Sequence, residues 1–87
     1  MIMGDFRPIK MKLFLKFLEH HGCYRHGDPK GSHFFWKKPG LTRRIVVREK
    51  DKDIPPFHIK TNLATLGLSF EDLENFINKN SKKKKDN

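Results

Sequence analysis

The sequence predicts an α+β domain in which one helix, a three-stranded antiparallel meander and two closing helices form a two-layer sandwich, with the helices on one sheet face. Three observations predict it. Residues 9–18 carry apolar side chains at helical spacing. Residues 33–37 and 44–48 alternate with a period of two around a Pro-Gly turn. Residues 67–73, "GLSFEDL", place a helix stop beside a helix start.

Taken in order, Pro8 opens the first helix, Ile9, Leu13, Phe17 and Leu18 recur on one face, and Gly22 closes it. Phe14 and Leu15 broaden the stripe, and His20 and His21 fall in the last turn, where exposed carbonyls favour positive charge. "CYRHGDPKG" then predicts a short strand running into a turn marked by Gly27, Asp28, Pro29 and Gly31. In "SHFFWKK", Phe34 and Trp36 share one strand face, and His33, Phe35 and Lys37 share the other. Pro39-Gly40 turns the chain back into "TRRIVVRE", with Ile45 and Val47 opposite Arg44, Val46 and Arg48. "EKDKDIPP" has no periodicity and is expected as a charged connection. Ile59, Leu63 and Leu66 mark a second helix ended by Gly67. Ser69 and Asp72 are spaced as a cap, Leu68 and Leu73 as a staple, and Leu73, Phe76 and Ile77 continue a last helix. Residues 1–80 are therefore expected to form a single domain, and residues 81–87 a basic, disordered tail.

The charge points to a polyanionic partner. Lys and Arg number 19 against 10 Asp and Glu, a net +9. Removing the four lysines Lys82 to Lys85 and Asp86 leaves 15 against 9, so +6 belongs to the domain itself. Between Arg25 and Arg48 lie seven basic residues and one acidic residue, Asp28, a local field suited to phosphates. Cys23 is the only cysteine, which excludes an internal disulfide and fits a reducing, cytoplasmic setting. No segment reads as a signal peptide. The stretch from Met11 to Leu18 is interrupted by Lys12 and Lys16 and is too short to span a bilayer. The basic block lies on strands rather than an amphipathic helix, which argues against a membrane partner.

Two clusters invite a metal and are better explained otherwise. His20, His21, Cys23 and His26 stand close together, but structural zinc sites use two ligand pairs well separated along the chain, and no second pair follows. Glu71, Asp72 and Glu74 occupy the first turn after Ser69, where acidic groups complement the helix dipole.

The helix ending in "HHGCY", the "KGSH" signature from Lys30 to His33 with an aromatic strand after it, "IVV", and the closing "IKTNLATLGLSFEDLENFI" together resemble the HicA family of bacterial toxins. These are small ribonucleases of toxin–antitoxin modules, and the resemblance spans roughly residues 9 to 77. It implies a fold like that of the double-stranded-RNA-binding domain and cleavage of messenger RNA without a metal or other cofactor. The signature histidine, His33 here, would be the catalytic residue. It also implies a HicB-type antitoxin that covers the active site, no membrane, and no DNA contact except through the antitoxin complex. One difference stands out: family members commonly carry a proline and a histidine straight after the third strand. Here Arg48 and Glu49 follow Val47, and "PPFH" comes later, at Pro55 to His58.

RNA supplies its own nucleophile, the 2′-hydroxyl, so such an enzyme needs proton transfer and charge stabilisation and little more. An imidazole suits the first task. Lys30, Lys37 and Arg44 are candidates to neutralise charge on the phosphorane oxygens. Gly31 and Ser32 permit close approach of the RNA backbone, and Ser32 offers a hydroxyl donor. Phe35 is the aromatic placed to stack on a base, with Phe34 and Trp36 assigned to the core. His26, His58 and Lys30 are candidates for a second acid or base. The competing function is a non-catalytic RNA-binding module of the same fold, for which charge and aromatics suffice; a third is a family member that keeps only partner binding.

Overall fold

Where the chain enters the first helix, tertiary pairing overrides the local pattern. The computed structural model describes residues 8–85, so residues 1–7 and 86–87, the outermost parts of the expected domain and tail, lie outside the described residues. Ile9–Lys10 form a two-residue strand, β1, and helix α1 occupies Met11–His20 rather than starting at Pro8. The partner of β1 is β5, Asp53–Ile54, inside the segment expected as a plain connection. Ile9 faces Ile54, Lys10 faces Asp53, and the Met11 amide donates to the Lys52 carbonyl at 2.9 Å. Both isoleucines are buried, so the pairing covers apolar surface, and the opposed charges of Lys10 and Asp53 favour it.

α1 buries Met11, Phe14, Phe17 and Leu18, an i, i+3, i+6, i+7 face centred on Phe14. Leu13 and Leu15 flank that face and are only partly covered. The helix closes through two bonds: the Cys23 amide donates to the Leu18 carbonyl and the Gly22 amide to the Glu19 carbonyl, both at 3.0 Å.

β2 (Tyr24–Arg25), β3 (His33–Lys37) and β4 (Ile45–Arg48) form the expected antiparallel sheet in the order β2-β3-β4. The register pairs Arg25 with Trp36, Phe34 with Val47, and Trp36 with Ile45 on the inner face. Trp36, Ile45 and Val47 are buried there, and Phe34 is half-buried. His33 opposite Arg48 and Phe35 opposite Val46 make the outer face.

α2, Pro56–Leu66, begins with proline at its first position, where the missing N–H costs nothing, and buries Ile59, Leu63 and Leu66. It also buries Asn62, which donates through Nδ2 to the Val46 carbonyl at 3.2 Å and so ties α2 to β4. After Gly67, Ser69 and Asp72 bond reciprocally: the Ser69 amide donates to Asp72 Oδ2 at 2.9 Å and the Asp72 amide to Ser69 Oγ at 3.1 Å. This is a capping box with aspartate in the acidic position. The bond from the Ser69 amide, then that from its hydroxyl, holds the Asp72 carboxyl below its ordinary range. α3 follows as Phe70–Lys85, so the backbone of the lysine run, expected as tail, continues the helix. Leu73 and Ile77 face the core, and Phe76 packs edge-on against Phe17 at 5.5 Å between ring centres. The result is the α+β architecture of the double-stranded-RNA-binding-domain type, with helices on one face of a three-stranded sheet.

Candidate active-site cleft

The hairpin joining β2 to β3 sets the position of His33. Lys30 and His33 exchange both backbone hydrogen bonds, each 2.9 Å, around the two-residue turn Gly31-Ser32. Gly31 sits at φ +60° and Ser32 on the negative side, the arrangement of a type II′ turn whose first position calls for glycine. "KGSH" is therefore a turn specification as well as a signature: the glycine permits the reversal, and the reversal makes His33 the first residue of β3. Alternation then puts its ring on the exposed outer face, directly across from Arg48.

Because α2 lies along β4, the outer face does not end flat. A cleft of about 300 Å³ runs between sheet and helix. The sheet contributes His33, Arg44, Val46 and Arg48; α2 contributes Phe57, His58, Thr61, Asn62 and Thr65. Two hydroxyls are already engaged, since Thr61 Oγ1 donates to the Phe57 carbonyl at 3.0 Å and Thr65 Oγ1 to the Thr61 carbonyl at 3.2 Å. Arg48 Nε lies 3.4 Å from the Asp51 carboxylate. The Arg44 guanidinium stacks over Phe35, 4.3 Å from the ring centre. What the cleft offers a ligand is two guanidinium groups, two imidazoles and the ring of Phe57, which is 74% exposed.

Of the residues singled out in the sequence, His33, Arg44 and His58 line this cleft. Lys30 and Gly31 are exposed in the adjoining turn, and Ser32 is half-buried there. Phe35 is on the expected face, but Arg44 covers it, so a base stacking there must displace or sandwich the guanidinium. Lys37 shares the face with His33 yet lies four residues on, about 13 Å at ~3.3 Å per residue, and pairs with Tyr24 at the far end of β3. His26 belongs to the opposite edge of the sheet, where its amide donates to the Phe35 carbonyl at 2.8 Å and its ring neighbours Tyr24. Arg48, Phe57 and Thr61 join the cleft without having been selected as site residues; only the "PPFH" placement hinted at this contribution.

Glu49, directly after β4, has a structural task. The Glu49 side chain is 7% exposed and accepts from three donors. Arg25 binds it with Nε at 3.1 Å and with Nη2, and Trp36 Nε1 donates at 2.6 Å. The bond to Glu49 raises the Arg25 pKa further above its ordinary value, and the same guanidinium lies 5.6 Å from the rings of both Phe34 and Trp36. One carboxylate thus ties β2, β3 and the end of β4 together.

The histidine–cysteine cluster is built from packing. Burial, then the nearby His20 and Lys38, lowers the His21 pKa, and its ring meets Phe17 edge-on at 4.6 Å. Cys23 is buried, which pushes its thiol up. Among the described residues, no three metal-ligating side chains converge.

This fold, with a histidine and two arginines beside the sheet, is that of a small basic domain of the double-stranded-RNA-binding-domain type. The chain belongs to the HicA family: the family model described as "HicA toxin of bacterial toxin-antitoxin" matches residues 12–68. That match includes α1 from its second residue, the whole three-stranded sheet, the His33 turn and α2. Among curated proteins and among solved structures, none matches the chain. Among the described residues, no helix is long and apolar enough to cross a membrane.

Proposed function

We propose that the protein is a metal-independent endoribonuclease that cleaves messenger RNA in the cytoplasm and is held silent by a HicB-type antitoxin. Membership of the HicA toxin family supports the toxin role and the antitoxin partner. One observation carries the chemistry: His33 stands exposed at the mouth of a cleft beside Arg44 and Arg48, opposite the latter across the β3–β4 ladder. In this reading the guanidinium groups hold the scissile phosphate and stabilise charge growing on its oxygens. His33 moves a proton as the 2′-oxygen attacks phosphorus. Lys30, Gly31 and Ser32 line the approach of the RNA backbone, and Lys37 acts farther along the strand as an electrostatic contact.

The test is incubation of the purified chain with RNA in EDTA, beside His33→Ala. Wild-type cleavage should leave 2′,3′-cyclic phosphate ends, spare DNA of matched sequence, and fall about 10²–10⁴-fold in the variant. RNA binding without cleavage would instead assign a non-catalytic RNA-binding module. Cleavage undiminished in His33→Ala would remove the mechanism.

A further inference from the structure

We propose that His58 is the second proton-transfer group of the cleft, acting across the scissile phosphate from His33; this rests on the endoribonuclease reading above. Transesterification of RNA moves two protons. The 2′-hydroxyl must lose one as its oxygen bonds to phosphorus, and the departing 5′-oxygen gains one as the P–O5′ bond breaks. Only one of these transfers belongs to His33, and the structure narrows the choice for the other.

Of the three candidates, His26 lies on the β2 side of the sheet, away from α2, and Lys30 sits in the hairpin turn outside the lining. His58 lines the cleft with His33, and among the described residues no carboxylate does. The two imidazoles come from different walls of the cleft, β3 and the first turn of α2, and the cleft between sheet and helix has a volume of about 300 Å³. The α2 wall is fixed: Ile59, next to His58, is fully buried, and Asn62, one turn on, is bonded to the Val46 carbonyl. The charged and titratable groups lining the cleft with His58 are Arg44, just before β4, Arg48 at the end of β4, which is paired with Asp51 at 3.4 Å, and the imidazole of His33 from β3; the lining residues of α2 itself are otherwise neutral.

In the step, one imidazole accepts the 2′-proton while the other donates to O5′. The products are a 2′,3′-cyclic phosphate and a 5′-hydroxyl, and the two imidazoles finish with their protonation states exchanged. No further reactant is needed.

The experiment measures single-turnover cleavage of a defined oligoribonucleotide by the full chain, from about pH 5 to pH 9, for wild type, His33→Ala, His58→Ala and His26→Ala. A second substrate is a ribonucleoside 3′-(4-nitrophenyl phosphate), whose leaving group departs without a proton. Thermal unfolding of each variant confirms that it is folded. His58→Ala should slow oligonucleotide cleavage about 10²–10⁴-fold and remove one limb of a bell-shaped pH profile, while His26→Ala matches wild type. On the nitrophenyl ester, one of the two cleft variants, the one lacking the acid, should recover.

Three results overturn the proposal. A His58→Ala variant that keeps both limbs and cleaves within about three-fold of wild type while His33→Ala is inactive sinks His58 and leaves the endoribonuclease reading standing. A slow His58→Ala with both limbs intact and neither cleft variant recovering on the ester makes His58 a positioning residue only. Full activity in His33→Ala removes the endoribonuclease mechanism itself.

Discussion

Replacing Glu49 by alanine should cost this domain about 2–3 kcal/mol, chiefly through one indole N–H. Its carboxylate is almost fully enclosed and accepts from Arg25 and from Trp36 Nε1. The two partners differ in how they fare without it. Arg25 is 59% exposed at its side chain, so it rehydrates, and its pairing contributes about 0–1 kcal/mol as a surface ion pair does. Trp36 is 3% exposed and cannot turn its N–H to water without moving the ring; an orphaned buried donor costs about 1–3 kcal/mol. Glu49→Gln keeps an oxygen acceptor for the indole and gives up the charge, so its cost should be about 1 kcal/mol. For a domain of this size each kcal/mol moves Tm by about 4–8 °C, and total stability is only about 4–13 kcal/mol. Urea unfolding of wild type, Glu49→Ala, Glu49→Gln, Arg25→Ala and the Arg25→Ala/Glu49→Ala double variant resolves these contributions, with the cycle isolating the ion pair. If Glu49→Ala lies within about 0.5 kcal/mol of wild type, or Glu49→Gln is as damaging as Glu49→Ala, the indole does not dominate and the reasoning fails.

Gly31→Ala meets no atom within 4 Å of the new Cβ, so its cost is conformational alone, about 1–2 kcal/mol for an L-residue held at φ +60°, read by urea unfolding. Arg44→Ala, made in a His33→Ala background so that RNA survives, should reduce the slope of log affinity against log salt by roughly 0.7, as one phosphate contact to a single strand is lost; an unchanged slope removes Arg44 from the phosphate site. The Asp72 carboxyl is more acidic folded than unfolded, so its cap stabilises above the ordinary carboxyl range and loses that contribution as pH falls through its lowered value. Asp72→Asn should therefore flatten the acid limb of the stability–pH curve measured by thermal unfolding.

The sequence disclosed those parts of the fold whose chemistry is local. "GLSFEDL" carries its stop, cap and staple within seven residues, and the structure has the stop and the cap where those residues place them. The alternation of Phe34, Trp36, Ile45 and Val47 likewise identified the inner sheet face. β1 and β5 were illegible because two-residue strands have no period to read, and their pairing joins positions more than forty residues apart. Asn62 and Glu49 were hidden for a related reason: a polar residue looks like surface until its partners, the Val46 carbonyl and the Trp36 indole, are known. At the candidate site, period two put Lys37 on the face of His33 but said nothing of the distance along the strand.

The residues between β4 and α2 shape the cleft, beginning with Glu49, which follows Arg48 as an internal tie. The connection that follows is held by β5 pairing with β1, and β5 passes directly through Pro55 into the first turn of α2. That path brings an imidazole, His58, to the cleft beside β4, carried on a helix that Asn62 and Ile59 anchor. A group on an anchored helix holds its position more tightly than one on the loop that ends a strand. The strand pairing that the sequence concealed is thus what sets the wall of the cleft opposite His33. Loosening it, by replacing the Ile9–Ile54 contact with smaller side chains, should impair cleavage through His58 before it disturbs the hairpin that positions His33.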